Sequence, residues 1–241
     1  MDLQRMLDRC RRDQWSVRDI DLSKPPRPLS EEDEAAICQL FTDMAVIERL
    51  AGALFREQAR RTGDPTLRAI FETFVGDEVR HAQMAQLLAD HYDRRSLRVY
   101  RPSAALSRFF DHFVLAVTGL EDDVANTYIT AGELILDIAL LRSINDFTDD
   151  AMSREVVNLI NRDESRHIAI DYHMVEYYVS DAFEERMKNA PRLPLAERLR
   201  AWATFARVIH AAQPFFQDVF FTPMHLVDPS GTRLREAVKR F

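Results

Sequence analysis

The feature that most constrains this chain is a five-residue pattern that occurs twice. Asp77-Glu78-Val79-Arg80-His81 and Asp163-Glu164-Ser165-Arg166-His167 share the form Asp-Glu-x-Arg-His. A lone Glu-x-x-His carries little, since a chain of this composition produces one by chance about every second time. The full pentad has a chance expectation of about 0.005 copies per chain, and two copies one of about 1 in 10⁵. Residues three apart on a helix share a face, so each pentad aims a carboxylate and an imidazole at one spot.

Both pentads lie inside long helical patterns. The chain has 241 residues but only 6 Gly and 10 Pro, too few turn formers for a sandwich or barrel of many short strands. Ser30 is a helix N-cap, followed by Glu31, Glu32, Asp33 and Glu34, where the helix dipole favours acids. No proline interrupts the chain from there to Arg61, and Phe41, Met44, Glu48, Ala51 and Phe55 recur at three- and four-residue steps. Thr62-Gly63-Asp64-Pro65 stops one helix and starts the next, with Gly63 as C-terminal cap, Asp64 as N-cap and Pro65 in the first turn. A second helix runs to about residue 93 with Ile70, Phe71, Phe74, Glu78, His81 and Ala85 on one stripe. A crossover helix over 103–118, a third bundle helix over 121–146, a tight turn at 147–150 and a fourth helix over 151–179 follow. The expected class is all-α, with a lead-in at 1–29, a four-helix bundle over 30–180 and a helical extension, 181–241, packed on the same domain. Pro191, Pro194, Pro214, Pro223 and Pro229 divide that extension into shorter helices.

Two facing pentads supply two Glu and two His. A carboxylate-bridged dimetal site in a four-helix bundle needs one more carboxylate from each of the other two helices. Residues equidistant from the turn of an antiparallel hairpin lie at the same height. Measured from the turn near residue 63, Glu48 answers Glu78; measured from the turn at 147–150, Glu133 answers Glu164. Both stand among apolar neighbours, where an ionised carboxylate needs a counter-charge. Four carboxylates and two neutral imidazoles carry four negative charges, which two divalent cations neutralise. Oxygen donors with one imidazole per metal suit Fe or Mn. The expected metal ligands are therefore Glu48, Glu78, His81, Glu133, Glu164 and His167. Asp77 and Asp163 are placed to orient the histidine of the opposite helix, with Arg80 and Arg166 holding those aspartates. Asp171 and Asp137 each lie one turn beyond a ligand and read as acids beside the site rather than as ligands. Met44, Phe55, Phe74, Ile129, Thr130 and Ile160 are the candidate lining of a substrate pocket.

Composition excludes several other functions. A net charge of −7 argues against a dedicated nucleic-acid binder. Two cysteines, Cys10 and Cys38, make neither a CxxC redox centre nor a Cys₄ zinc site. The first 15 residues are charged throughout, and no run of 18 apolar residues occurs, so no membrane partner is expected and a cytoplasmic location is.

On these residues the sequence resembles the ferritin-like di-iron carboxylate superfamily. The Asp-Glu-x-Arg-His form is most similar to its oxygen-activating branch: acyl-carrier-protein desaturases, bacterial multicomponent monooxygenases and ribonucleotide reductase small subunits. The lead-in from Trp15 to Lys24 is similar to the segment that enters the first helix of the reductase subunits. The resemblance covers roughly residues 14–180 and implies a ferritin-like bundle with a crossover helix between helices 2 and 3. It also implies two iron ions, or a Mn/Fe pair, with dioxygen as co-substrate. It departs in two places: Ala85 stands where reductase subunits carry a radical tyrosine, and Ile160 where arylamine N-oxygenases carry an additional histidine. The function expected is a non-haem di-iron oxygenase or oxidase that hydroxylates, desaturates or N-oxygenates a small organic substrate with electrons from an external reductase or ferredoxin. The alternative is a ferroxidase or iron-storage protein of ferritin type. Phe215-Phe216 and Phe220-Phe221 are expected to dock the tail or to form a homodimer contact.

Overall fold

A computed structural model of the chain describes residues 1–119, 121–190 and 194–240, with the side chains of residues 128, 136, 137 and 138 outside the description. It is all-helical, and no strand occurs among the described residues. The order is α1 (Leu3–Arg12), a 3-10 turn (Val17–Asp19), α2 (Glu31–Arg61), α3 (Pro65–Tyr92), α4 (Ala104–Val117), α5 (Asp122–Glu133), α6 (Arg142–Thr148), α7 (Ala151–Tyr178), α8 (Asp181–Asn189), α9 (Leu195–Phe215), α10 (Thr222–Val227) and α11 (Thr232–Arg240).

The longest helix, α2, forms a hairpin with α3. Ser30 caps α2 by accepting from the Asp33 N–H, and Asp64 caps α3 by accepting from Thr66 and Leu67. The expected left-handed glycine cap at Gly63 is absent. Thr62 ends α2 in an extended conformation, and Asp64 is also extended, as the residue before Pro65 must be. The two helices touch closely at Gly52, where an added Cβ would stand 3.2 Å from the Cβ of Glu78.

The connection from α3 to α4 is tied back to α2. Arg95 is held by Glu34, Gln39 donates to the Arg101 carbonyl at 2.8 Å, and Asp43 accepts from the Ser103 N–H at 2.7 Å. These bonds lead the chain across to α5, which pairs with α7.

Two departures from regular α-helix were not anticipated. A π-helical stretch, Leu134–Leu141, follows Glu133 directly and replaces the expected continuous helix before α6. Its sequence is almost wholly apolar, and Leu134, Ala139, Leu140 and Leu141 are buried on several sides, partly against α11. A second, Phe216–Phe221, follows Pro214. The chain does not break at that proline: α9 runs through it and then widens, since the ring removes one hydrogen bond of the helix. Phe215 stacks on Phe109 of α4 at 4.3 Å, so this part of the tail docks on α4, one of the two expected uses of the aromatic pair. No helix among the described residues is long and apolar enough to cross a membrane.

The lead-in is more than an approach to the bundle. Leu7 and Cys10 of α1 are buried, and α1 packs on α3 and α7. Arg162 of α7 donates to the Asp13 carbonyl at 2.7 Å, fixing the segment that carries Gln14 and Trp15.

Candidate metal centre

The six expected ligands converge. α2 delivers Glu48, α3 delivers Glu78 and His81, α5 delivers Glu133, and α7 delivers Glu164 and His167. Each is at most 3% exposed. They form two overlapping groups of four, Glu48–Glu78–His81–Glu164 and Glu78–Glu133–Glu164–His167, and within each group one donor atom per residue lies within 4.8 Å of the others. Glu78 and Glu164 belong to both groups. Two carboxylates shared by two sets of donors is the arrangement that two adjacent cations require.

Both histidines turn Nδ1 toward the carboxylates. His81 Nδ1 is 2.9 Å from Glu164 Oε1 and 3.7 Å from Glu78 Oε2; His167 Nδ1 is 2.9 Å from Glu164 Oε2, 3.2 Å from Glu78 Oε1 and 3.9 Å from Glu133 Oε2. The other ring nitrogens reach across to the opposite helix. His81 Nε2 pairs with Asp163 Oδ2 at 3.2 Å and His167 Nε2 with Asp77 Oδ2 at 3.3 Å. Arg166, wholly buried, donates to Asp163 at 2.6 Å and to Asp77 at 3.4 Å, and Arg80 pairs with Asp77. The crossed pattern expected of the pentads is thus present, and it orients each ring with Nε2 toward an aspartate and Nδ1 toward the glutamates.

The lead-in completes this outer layer, and the sequence reading missed it. The Trp15 indole N–H donates to Asp163 at 2.7 Å, and Gln14 donates to Asp77 at 3.2 Å. Trp15 also stacks 6.4 Å from the His81 ring, beneath the Arg80 guanidinium. A tryptophan and glutamine in an otherwise charged lead-in were the available signal.

Electrostatics follow from burying so many acids together. Burial, and then Glu78, push the Glu48 carboxyl well above its ordinary value; burial and Glu164 do the same to Glu133. Burial also opposes ionisation of Glu164, but His167, Glu133 and His81 outweigh it and hold Glu164 well below. Burial would lower both imidazoles, yet Glu164 and the aspartates outweigh it and raise them. Asp163, desolvated but bonded to His81 and Trp15, is held at about 2, and Asp77, bonded to His167, is also lowered. The cluster can therefore neutralise itself with protons on Glu48, Glu133 and both histidines, the positions that divalent cations would otherwise satisfy.

Several of these oxygens lack hydrogen-bond partners: both of Glu48, and Oε2 of Glu133. Orphaned acceptors at this density, in an interior with no room for polar surplus, fit a bound cation. The donor set contains no thiolate, since Cys10 and Cys38 belong to neither group.

Of the flanking acids, Asp171 is fully buried, joins neither group, and has no partner for either oxygen. The Asp137 side chain lies outside the described residues. Met44, Phe55, Phe74, Ile129, Thr130 and Ile160 are all buried around the cluster, with Phe74 4.1 Å and Phe55 5.1 Å from the His167 ring. None of these six lines the cavity at the α2–α3 turn or two others among the described residues. No family model matches the chain, and no curated protein sequence is significantly similar to it.

Proposed function

We propose that this chain is a non-haem di-iron oxygenase or oxidase with a ferritin-like bundle, in which α2, α3, α5 and α7 are the four helices and α4 the crossover. The observation that carries the reading is the pair of four-donor groups that share Glu78 and Glu164 in a fully buried cluster. Carboxylate oxygens with one imidazole for each cation favour Fe or Mn over a thiolate-preferring metal. Glu48 and His81 would serve one ion, Glu133 and His167 the other, with Glu78 and Glu164 between them. A reduced iron pair held there supplies two-electron reduction of dioxygen coupled to oxidation of a small organic substrate.

The residues of the chain do the rest. Asp163 and Asp77 keep the Nε2 proton on each ring and so leave Nδ1 free to bind. Arg166 and Arg80 hold those aspartates ionised. Phe55, Phe71, Phe74 and Ile160 exclude water from the His167 side. Electrons for that chemistry would come from an external donor, a reductase or ferredoxin, and a cytoplasmic setting would suit that supply.

The test is reconstitution with ferrous iron under argon, followed by admission of dioxygen. The expected result is about two iron ions per chain and dioxygen uptake that stops when the reductant is exhausted. Uptake of iron far beyond two per chain, with mineral formation, would instead establish the storage reading. Two bound irons with no dioxygen uptake would leave only a structural metal pair.

A further inference from the structure

We infer that the outer face of α9, with the adjoining end of α4, is the interface through which two copies of this chain pair. α9 carries two apolar faces. Val208, Ala211, Ala212 and Phe215 are buried, and Phe215 stacks on Phe109 of α4. Roughly 150° around the helix runs a second stripe, Leu195, Leu199, Trp202, Ala206 and Ile209, and all of it is exposed. Leu195 is 68%, Leu199 61% and Trp202 67% exposed, and Leu115 of α4, which lines one cavity with Trp202, is 74% exposed. No residue from 195 to 203 is buried or half-buried, so this half of α9 has little within its own chain to hold it as a helix.

The size of the patch argues for a protein partner. With Val114 and Ile209, also exposed, these side chains leave on the order of 700 Å² of apolar surface, above the roughly 300–600 Å² of a typical monomer's largest patch. Each partner of a stable complex contributes about 800 Å². The spacing argues for a second copy. Steps of four, three, four and three residues make the seam of a helix pair, and no charged residue interrupts it. Such a stripe reads nearly the same in both directions, so a two-fold axis can set α9 antiparallel to α9 of the other copy. That places Trp202 against Ala206 of the other copy and Leu199 against Ile209, with the largest side chain on the smallest. An anionic lipid surface would be gripped by cations along both edges of the stripe. Here one edge carries Arg198, while Ala196 and Ala203 form the other and let a second helix come close.

The inference is independent of the metal chemistry, and sedimentation equilibrium of the full chain tests it. The expected particle at about 10 µM protein is a dimer, twice the 28.0 kDa of one chain. Leu199→Glu and Trp202→Glu should each raise the dissociation constant at least about 100-fold, because each places a charge twice in a symmetric interface. Both sites are exposed in the single chain, so helical content by circular dichroism and metal content should stay unchanged. Either variant suffices if the other loses helix. Val99→Glu, at an exposed apolar residue of the α3–α4 connection, should leave the dimer intact. A monomer at about 100 µM overturns the inference. So does a dimer that survives both α9 changes, or one that Val99→Glu dissociates as readily. Co-sedimentation of a monomer with phosphatidylglycerol vesicles, abolished by Trp202→Glu, would overturn it in favour of a membrane surface.

Discussion

The two pentads are the same sequence in different surroundings. His81 and His167 make corresponding contacts: Nδ1 to shared glutamates, Nε2 to an aspartate of the opposite helix. Beyond those bonds the halves diverge. On the His81 side Asp163 also receives the Trp15 indole, and the lead-in covers the ring with a polar lid. On the His167 side Phe55 and Phe74 pack against the ring. Identical ligands can thus be given unequal tasks by what packs behind them. The His81 half is covered by the polar lead-in, and the His167 half is packed in aromatic side chains.

The largest effect expected is loss of an ion. His81→Ala or His167→Ala should lower metal content to about one ion or fewer per chain, while His91→Ala, outside both groups, should leave about two. Elemental analysis of the purified variants decides this, and equal loss from all three would end the site assignment. Next come the aspartates that orient the rings. Asp163→Asn and Asp77→Asn should each weaken metal binding about 10- to 100-fold, measured by competition with a chelator. Trp15→Phe should reproduce part of the Asp163→Asn loss and none of the Asp77→Asn loss, because its indole bonds Asp163. A uniform effect on both halves would erase the distinction drawn between them.

The metal-free protein should show an inverted pH profile. Glu48 and Glu133 have folded pKa values above the ordinary 4.5, and His81 and His167 above 6.5, so the folded state binds more protons than the unfolded one. Stability then falls as pH rises through 4.5, and falls further above 6.5. Glu164, Asp77 and Asp163 shift the other way and act only at lower pH. Metal loading replaces the protons and should remove the decline. Denaturant melts of both forms between pH 5 and 8 would show parallel curves if the cluster were not buried.

The smallest effect belongs to the shared glutamate. Gly52→Ala places a methyl 3.2 Å from Glu78 Cβ, so α2 and α3 must part by a few tenths of an ångström. A stable protein with metal affinity reduced a few-fold in both halves is expected, since Glu78 serves both. Loss confined to one half would show that Glu78 is not shared.

What was readable in advance was the part governed by helical periodicity. A spacing of three, two well-capped turns and hairpin symmetry were enough to locate the six ligands, because the rise per residue is constant and converts sequence distance directly into height. The crossed aspartate bonds were legible for the same reason. The π-helical stretch after Glu133 was not, because its apolar run has no helical period of its own and takes its shape from the surfaces that bury it.

The sequence by itself therefore determined the all-helical class, the six side chains that cluster and their approximate two-fold pattern. Only the tertiary structure decided what packs behind each half. Trp15 and Asp163 are separated by 148 positions and meet at 2.7 Å. Gln58, Asn126 and Asp171 likewise come from three helices, with the Asn126 amide bonded to the Gln58 side chain and to the Asp171 backbone carbonyl. Such meetings depend on how whole helices pack, and no local spacing encodes them.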